Sequence, residues 1–180
     1  MLIDSLLTFL PSGAVQSLVA AAGATTQIGN PIDILGSGVG TAPANIIGNA
    51  TVFGEDTGVG SYKPLIELVI GVAAVTGNAA TLTIAFQGAP DTGAAGGYQP
   101  GTWQTLSATG ALTAAQLTAL QDIRMDWPVS FPDNLDPRYL RLVAITPAGT
   151  NFTAGTISQA IVTNARDDQA NKFQPRNFNV

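Results

Sequence analysis

Ala80-Thr81-Leu82-Thr83-Ile84-Ala85-Phe86-Gln87 is the stretch on which the fold reading turns. Leu82, Ile84 and Phe86 alternate with Thr81, Thr83 and Gln87, so one face is apolar and the other polar, the pattern of a half-buried β-strand. Pro64 to Val72 repeats it, with Ile66, Leu68, Ile70 and Val72 on one face and Glu67 on the other. Arg138 to Thr146 is a third such run, placing Leu140, Leu142 and Ala144 opposite Tyr139, Arg141 and Val143. Thr156 to Asn164 reads as a fourth. Shorter strands are expected at Ala14 to Val19, Thr25 to Ile28, Ile46 to Phe53, Thr102 to Leu106 and Ile123 to Phe131. Within the last, Pro128 demotes part of the run to an edge or a bulge, because proline cannot donate to a ladder.

One run carries a helical pattern. Thr113-Ala114-Ala115-Gln116-Leu117-Thr118-Ala119-Leu120 has an N-cap candidate in Thr113 and two leucines three apart. Many strands separated by Gly, Pro and Asn clusters, with one short helix, predict an all-β single domain, a jelly roll or β-sandwich, with a closed barrel as the alternative. Residues 1–165 make up this domain, and 166–180 form a polar C-terminal tail or docking arm carrying Phe173 and Phe178. Gly29 to Asn45, Gly54 to Lys63 and Gly88 to Gly101 read as long loops, either solvated surface or interaction arms.

Composition narrows the function classes. The 180-residue chain is 46% hydrophobic and only 11% charged, where globular proteins average about 25% charged. Its surface must be largely neutral, which weakens electrostatic protection against association and favours assembly with a partner. Net charge is −5, and no basic residue precedes Lys63. Without a basic stripe to neutralise phosphates, no nucleic-acid partner is expected. The start, Met1 to Leu10, contains Asp4 and runs into Pro11, and Ala14 to Ala24 lacks a preceding basic segment, so neither a signal peptide nor a membrane span is expected. Synthesis in the cytoplasm follows from that reading.

The absence of both histidine and cysteine removes the usual serine, cysteine and zinc hydrolase constellations. Paired carboxylates are the remaining catalytic option. Yet Asp133 and Asp136 sit in Pro-Asp-Asn-Leu-Asp-Pro, Asp167 and Asp168 open the tail, and Glu55-Asp56 lies among glycines, all settings of solvated turn carboxylates. Calcium binding through one of these loops is a further option ahead of a catalytic pair, although no spacing resembles an EF-hand. Gly36-Ser37-Gly38-Val39-Gly40 lacks the third glycine of a dinucleotide loop and the Lys-Ser/Thr of a phosphate loop. Trp103, Trp127, Tyr62 and Tyr98 could make a sugar-stacking platform, although core or interface packing suits them better. The chain is therefore expected not to be an enzyme, with no catalytic, cofactor-binding or metal-ligating residue assigned and no cofactor required.

Met1-Leu2-Ile3-Asp4 with Leu7 and Phe9, the Gln16 to Ala24 segment leading into Thr25-Thr26-Gln27-Ile28, Pro64-Leu65-Ile66-Glu67-Leu68, Thr81 to Gln87, Trp103-Gln104-Thr105-Leu106 and Pro137-Arg138-Tyr139-Leu140-Arg141-Leu142 form a series of blocks. Together with the tail at Lys172 to Val180, they resemble the capsid cement, or decoration, proteins of tailed bacteriophages, typified by that of the short-tailed Bordetella phage. Matching blocks cover about two thirds of the chain, and the Pro137 to Leu142 run is the most specific. The resemblance implies a jelly-roll structural protein on the outer surface of the virion. It would bridge major capsid protein subunits and associate with itself as a homodimer or homotrimer. The Gly-rich segments Gly29 to Asn45 and Gly88 to Gly101 depart from the family pattern. A carbohydrate- or receptor-binding sandwich is the alternative.

Overall fold

A computed structural model describes residues 8–11, 13–20, 22–33, 64–92, 99–128, 135 and 137–164. Ten strands are present: β1 (Thr8–Leu10), β2 (Gln16–Ser17), β3 (Thr25–Asp33), β4 (Pro64–Thr76), β5 (Thr81–Ala89), β6 (Gln104–Ala108), β7 (Leu112–Thr113), β8 (Asp122–Asp126), β9 (Tyr139–Ile145) and β10 (Phe152–Asn164). One sheet, A, has the order β1-β10-β4-β8, with β2 also on β10. The other, B, has the order β3-β9-β5-β6, with β7 also on β5. Every pairing is antiparallel. The chain passes between the sheets at each step except those joining β1 to β2 and β5 through β6 to β7. Such interleaving of two five-stranded sheets is a jelly roll, one of the two sandwich forms that the strand pattern predicts.

The period of two explains the core. Ile66, Leu68 and Ile70 of β4 are fully buried, and they face Leu82, Ile84 and Phe86 of β5 with Leu140 and Leu142 of β9 in one apolar cluster. Phe86 anchors it, meeting Phe9 edge-on at 6.2 Å and Trp127 at 5.0 Å between ring centroids. Aromatic pairs at these separations add to the burial of the rings themselves.

β1, which the periodicity did not announce, closes one side. β3 carries a bulge between Ile28 and Ile32, and a Cβ on Gly29 would lie 2.0 Å from the Phe9 carbonyl oxygen. Gly29 also has φ +61°, a left-handed conformation that glycine adopts without steric cost. Only glycine lets the two sheets meet here. The bulge also explains why β3 runs on to Asp33, across Gly29 to Asp33, which the sequence reading placed in a loop. On the opposite side Ser107 Oγ donates to the Asp126 carbonyl at 3.3 Å, linking β6 to β8.

The helix expected at Thr113 to Leu120 is shortened to a single 3₁₀ turn, Ala114–Gln116, with Thr113 at its N-cap as expected. Its continuation is captured by β4: Ala74 N–H donates to Leu117 O, Leu120 N–H to Ile70 O, and Ile70 N–H to Gln121 O, at 2.8 to 2.9 Å. Sheet hydrogen bonds outcompete an eight-residue helix, which is marginal in isolation. The Gly88 to Gly101 loop is shorter than expected, because β5 extends to Ala89 and an Asp91–Pro100 bridge follows. Ile46 to Phe53, Gly54 to Lys63 and the 166–180 tail lie outside the described residues.

Two outcomes test this packing by urea denaturation. Gly29→Ala should cost more than about 2 kcal/mol, since it combines left-handed strain with a backbone collision. Phe86→Ala should cost about 3–5 kcal/mol.

Candidate functional site

Antiparallel winding gives the sandwich two unlike ends. At one, short turns join β4 to β5 through 77–80 and β9 to β10 through 146–151. At the other, β3, β5, β8 and β10 run out and β1, β4, β6 and β9 begin.

Arg138 ties that second end together. Its Nε and Nη2 donate to the two carboxylate oxygens of Asp33, each at 3.0 Å, and its Nη1 donates to Asp91. The guanidinium lies 5.0 Å from the Tyr139 ring centroid, and Arg138 N–H donates to Ala89 O. One planar cation thus joins the last residue of β3, the segment after β5 and the start of β9. Hydrogen bonding to Asp33 is the main reason its pKa is raised above the ordinary arginine value, against a lowering from partial burial and with Asp91 adding to the rise. Arg138 and both acids keep about a third of their side-chain surface in solvent, so the cluster is a clamp, not a buried ion trap.

Eight described residues are charged: Asp33, Glu67, Asp91, Asp122, Arg124, Asp126, Arg138 and Arg141. Sheet A carries Glu67, Asp122, Arg124 and Asp126 on adjacent strands, with Arg124 reaching Asp122 at 2.6 Å and Glu67 at 3.8 Å. All eight sit at or before the level of Val69 in sheet A and Gln87 in sheet B. Beyond those rows the fold is built from residues 13–28, 70–86, 108–121 and 142–158, and these contain no Asp, Glu, Lys or Arg. Among the described residues, half of the sandwich is charge-free.

The large apolar side chains exposed among the described residues also fall in that half: Val15 (64%), Val19 (52%), Val72 (55%), Val75 (53%) and Leu120 (81%). Simple alternation places Val72 inside with Ile70, and the structure overturns that expectation. Ile70 pairs with Ile157, Val72 with Thr156 and Val75 with Ala154, so β4 twice carries an extra residue against β10. Each bulge shifts the following side chain to the other face. Thr156 also pairs with Ser17 of β2, and paired residues share a face. Val72 therefore lies in one outer row with Ser17 and Thr156, and Val75 in another with Ala154.

The two tryptophans of the expected aromatic platform do not come together. Trp127 is in the core against Phe86, while Trp103 lies under the Arg141 guanidinium at 4.1 Å, and Arg141 Nε donates to Gln87 at 2.9 Å. Phe86 and Gln87 point to opposite faces of β5, so the two tryptophans are on opposite sides of sheet B. Tyr62, Tyr98, the acidic pairs Glu55-Asp56, Asp133/Asp136 and Asp167/Asp168, and the Gly36 to Gly40 run lie outside the described residues. Neither a scan against protein-family models nor a search of curated proteins finds a match for this chain.

The clamp predicts a ranking. Asp33→Asn, which weakens two hydrogen bonds, should cost more stability in chemical denaturation than Asp91→Asn, and Arg138→Ala about 1–3 kcal/mol. Equal and negligible costs would mean that the cluster is ornamental to folding.

Proposed function

We propose that this protein is a non-catalytic structural component of a virion, a capsid cement protein that decorates the phage head and bridges major capsid protein subunits on its outer surface. The observation that carries the reading is the charge-free half of the jelly roll with exposed valines and a leucine. Large apolar side chains left in solvent on a surface without charge favour burial against other protein. The resemblance in sequence blocks supplies the capsid context, and the jelly roll is the fold which that resemblance implies.

The mechanism is linkage. A protein that binds assembled subunits and not dissociated ones shifts the equilibrium toward the shell, by about 2.7 kcal/mol per site when its concentration is a hundred times its dissociation constant. Repetition over a shell multiplies modest contacts through avidity. A neutral exterior suits this role, because copies crowded on one surface do not repel one another as strongly charged ones would.

The test is direct. Purified protein added to expanded heads lacking it should bind saturably and raise the temperature at which the heads disrupt. Heads that take up none of it at micromolar concentration would end the proposal.

A further inference from the structure

We propose that the outer face of sheet A is the surface that meets the capsid, and that it seats a positively charged segment of the major capsid protein along β4. This assignment rests on the proposed function and adds to it which face binds and what chemistry the partner presents.

Exposed apolar side chains select the sheet. Val15 and Val19 flank β2, Val72 and Val75 belong to β4, and Leu120 is tied to β4 by its N–H to Ile70 O. All five lie in or beside strands of sheet A, and none lies in a strand of sheet B. On sheet B the outward Ala85 and Val143 are closed off, each 1% exposed. Along β4 the outward positions are Leu65, Glu67, Val69, Val72 and Val75, a mostly apolar spine of roughly 30 Å at about 3.3 Å per residue.

Charge selects the occupant. β8 borders the first half of that spine, where its outward Asp126 and Asp122 pair with Leu65 and Val69. Arg124 reaches Asp122 and Glu67, and the exposed Asp126 has no cation partner among the described residues. Among those residues, sheet A thus shows three outward carboxylates for one guanidinium, whereas on the sheet B side Asp33 and Asp91 are matched in number by Arg138 and Arg141. An apolar spine edged by excess carboxylate attracts a cationic protein surface and repels nucleic acid and anionic lipid. The Asp122 row and Val72 are three residues apart along β4, about 10 Å. Lysines or arginines of one segment can therefore face Asp122 and Asp126 while its apolar side chains cover Val72 and Val75.

Leu120 is an independent sign that this side is contacted. Gln121 N–H donates to Thr118 O at 3.1 Å, closing a turn whose third residue is Leu120, with φ +64°. That position favours glycine or asparagine. A leucine there, 81% exposed, gains little from its own chain, and burial by a partner accounts for it.

The experiment is co-sedimentation of the full chain with expanded heads lacking it, at rising salt, with thermal unfolding of each variant and sedimentation velocity of the free protein alongside. Wild-type binding should weaken as salt rises. Asp126→Lys should weaken it about tenfold, Asp122→Asn about threefold and Val72→Asp about a hundredfold. Thr25→Asp, at an exposed outward position of sheet B, should leave it unchanged. Binding that ignores both salt and Asp126→Lys, or that survives Val72→Asp and fails with Thr25→Asp, overturns the assignment and leaves the capsid reading standing. So does a dimer of the free protein that Val72→Asp abolishes while head binding persists, since a second copy would then own the face. Heads that take up no wild type end the capsid reading, and this assignment with it.

Discussion

Everything in this molecule depends on the packing of β4 and β10 over β5 and β9. These four strands sit second and third in their sheets, and their inward rows bury Ile66, Leu68, Ile70, Ala160, Val162, Leu82, Ile84, Phe86, Leu140 and Leu142. A sandwich of this size needs no disulfide or metal when two such faces interdigitate. The edge strands are then free to be short, broken and bulged, as β1, β2, β6 and β7 are. Irregular edges also discourage uncontrolled edge-to-edge pairing.

The same four strands separate the described residues into two unlike halves. The described charged residues are concentrated toward one end, with Arg138 tying β3, β9 and the segment after β5 together through Asp33 and Asp91. Among the described residues the other end carries short turns and no charge. The described surface is thus unequal from one end to the other, polar at the first and apolar at the second.

Much of the fold was legible because β5, β9 and the Pro64 to Ile70 part of β4 keep a period of two. Ala80 to Gln87 and Arg138 to Thr146 gave their inward faces directly. The pattern failed where tertiary pairing overrode local preference. Thr113 to Leu120 has helical spacing, yet β4 captures its backbone. Val72 has the parity of a core residue, yet a bulge at Gly71 turns it outward. β1 is too short to show a period, and β3 crosses Gly29 to Pro31 through a bulge that reads as a loop. Of the candidate site, the neutral exterior was legible from composition. Its confinement to one half was not, because it emerges only when 13–28, 70–86, 108–121 and 142–158 are brought together by the winding. The signal was present in the spacing of charges along the chain, and topology was needed to read it.

The central claim is that the charge-free half of the jelly roll exists to be covered by protein. An electron cryomicroscopy map of the mature particle examines it most directly. The account requires the sandwich on the outer shell with Val15, Val72, Val75 and Leu120 buried against protein density. A particle in which those side chains face solvent, or from which the chain is missing, would contradict it.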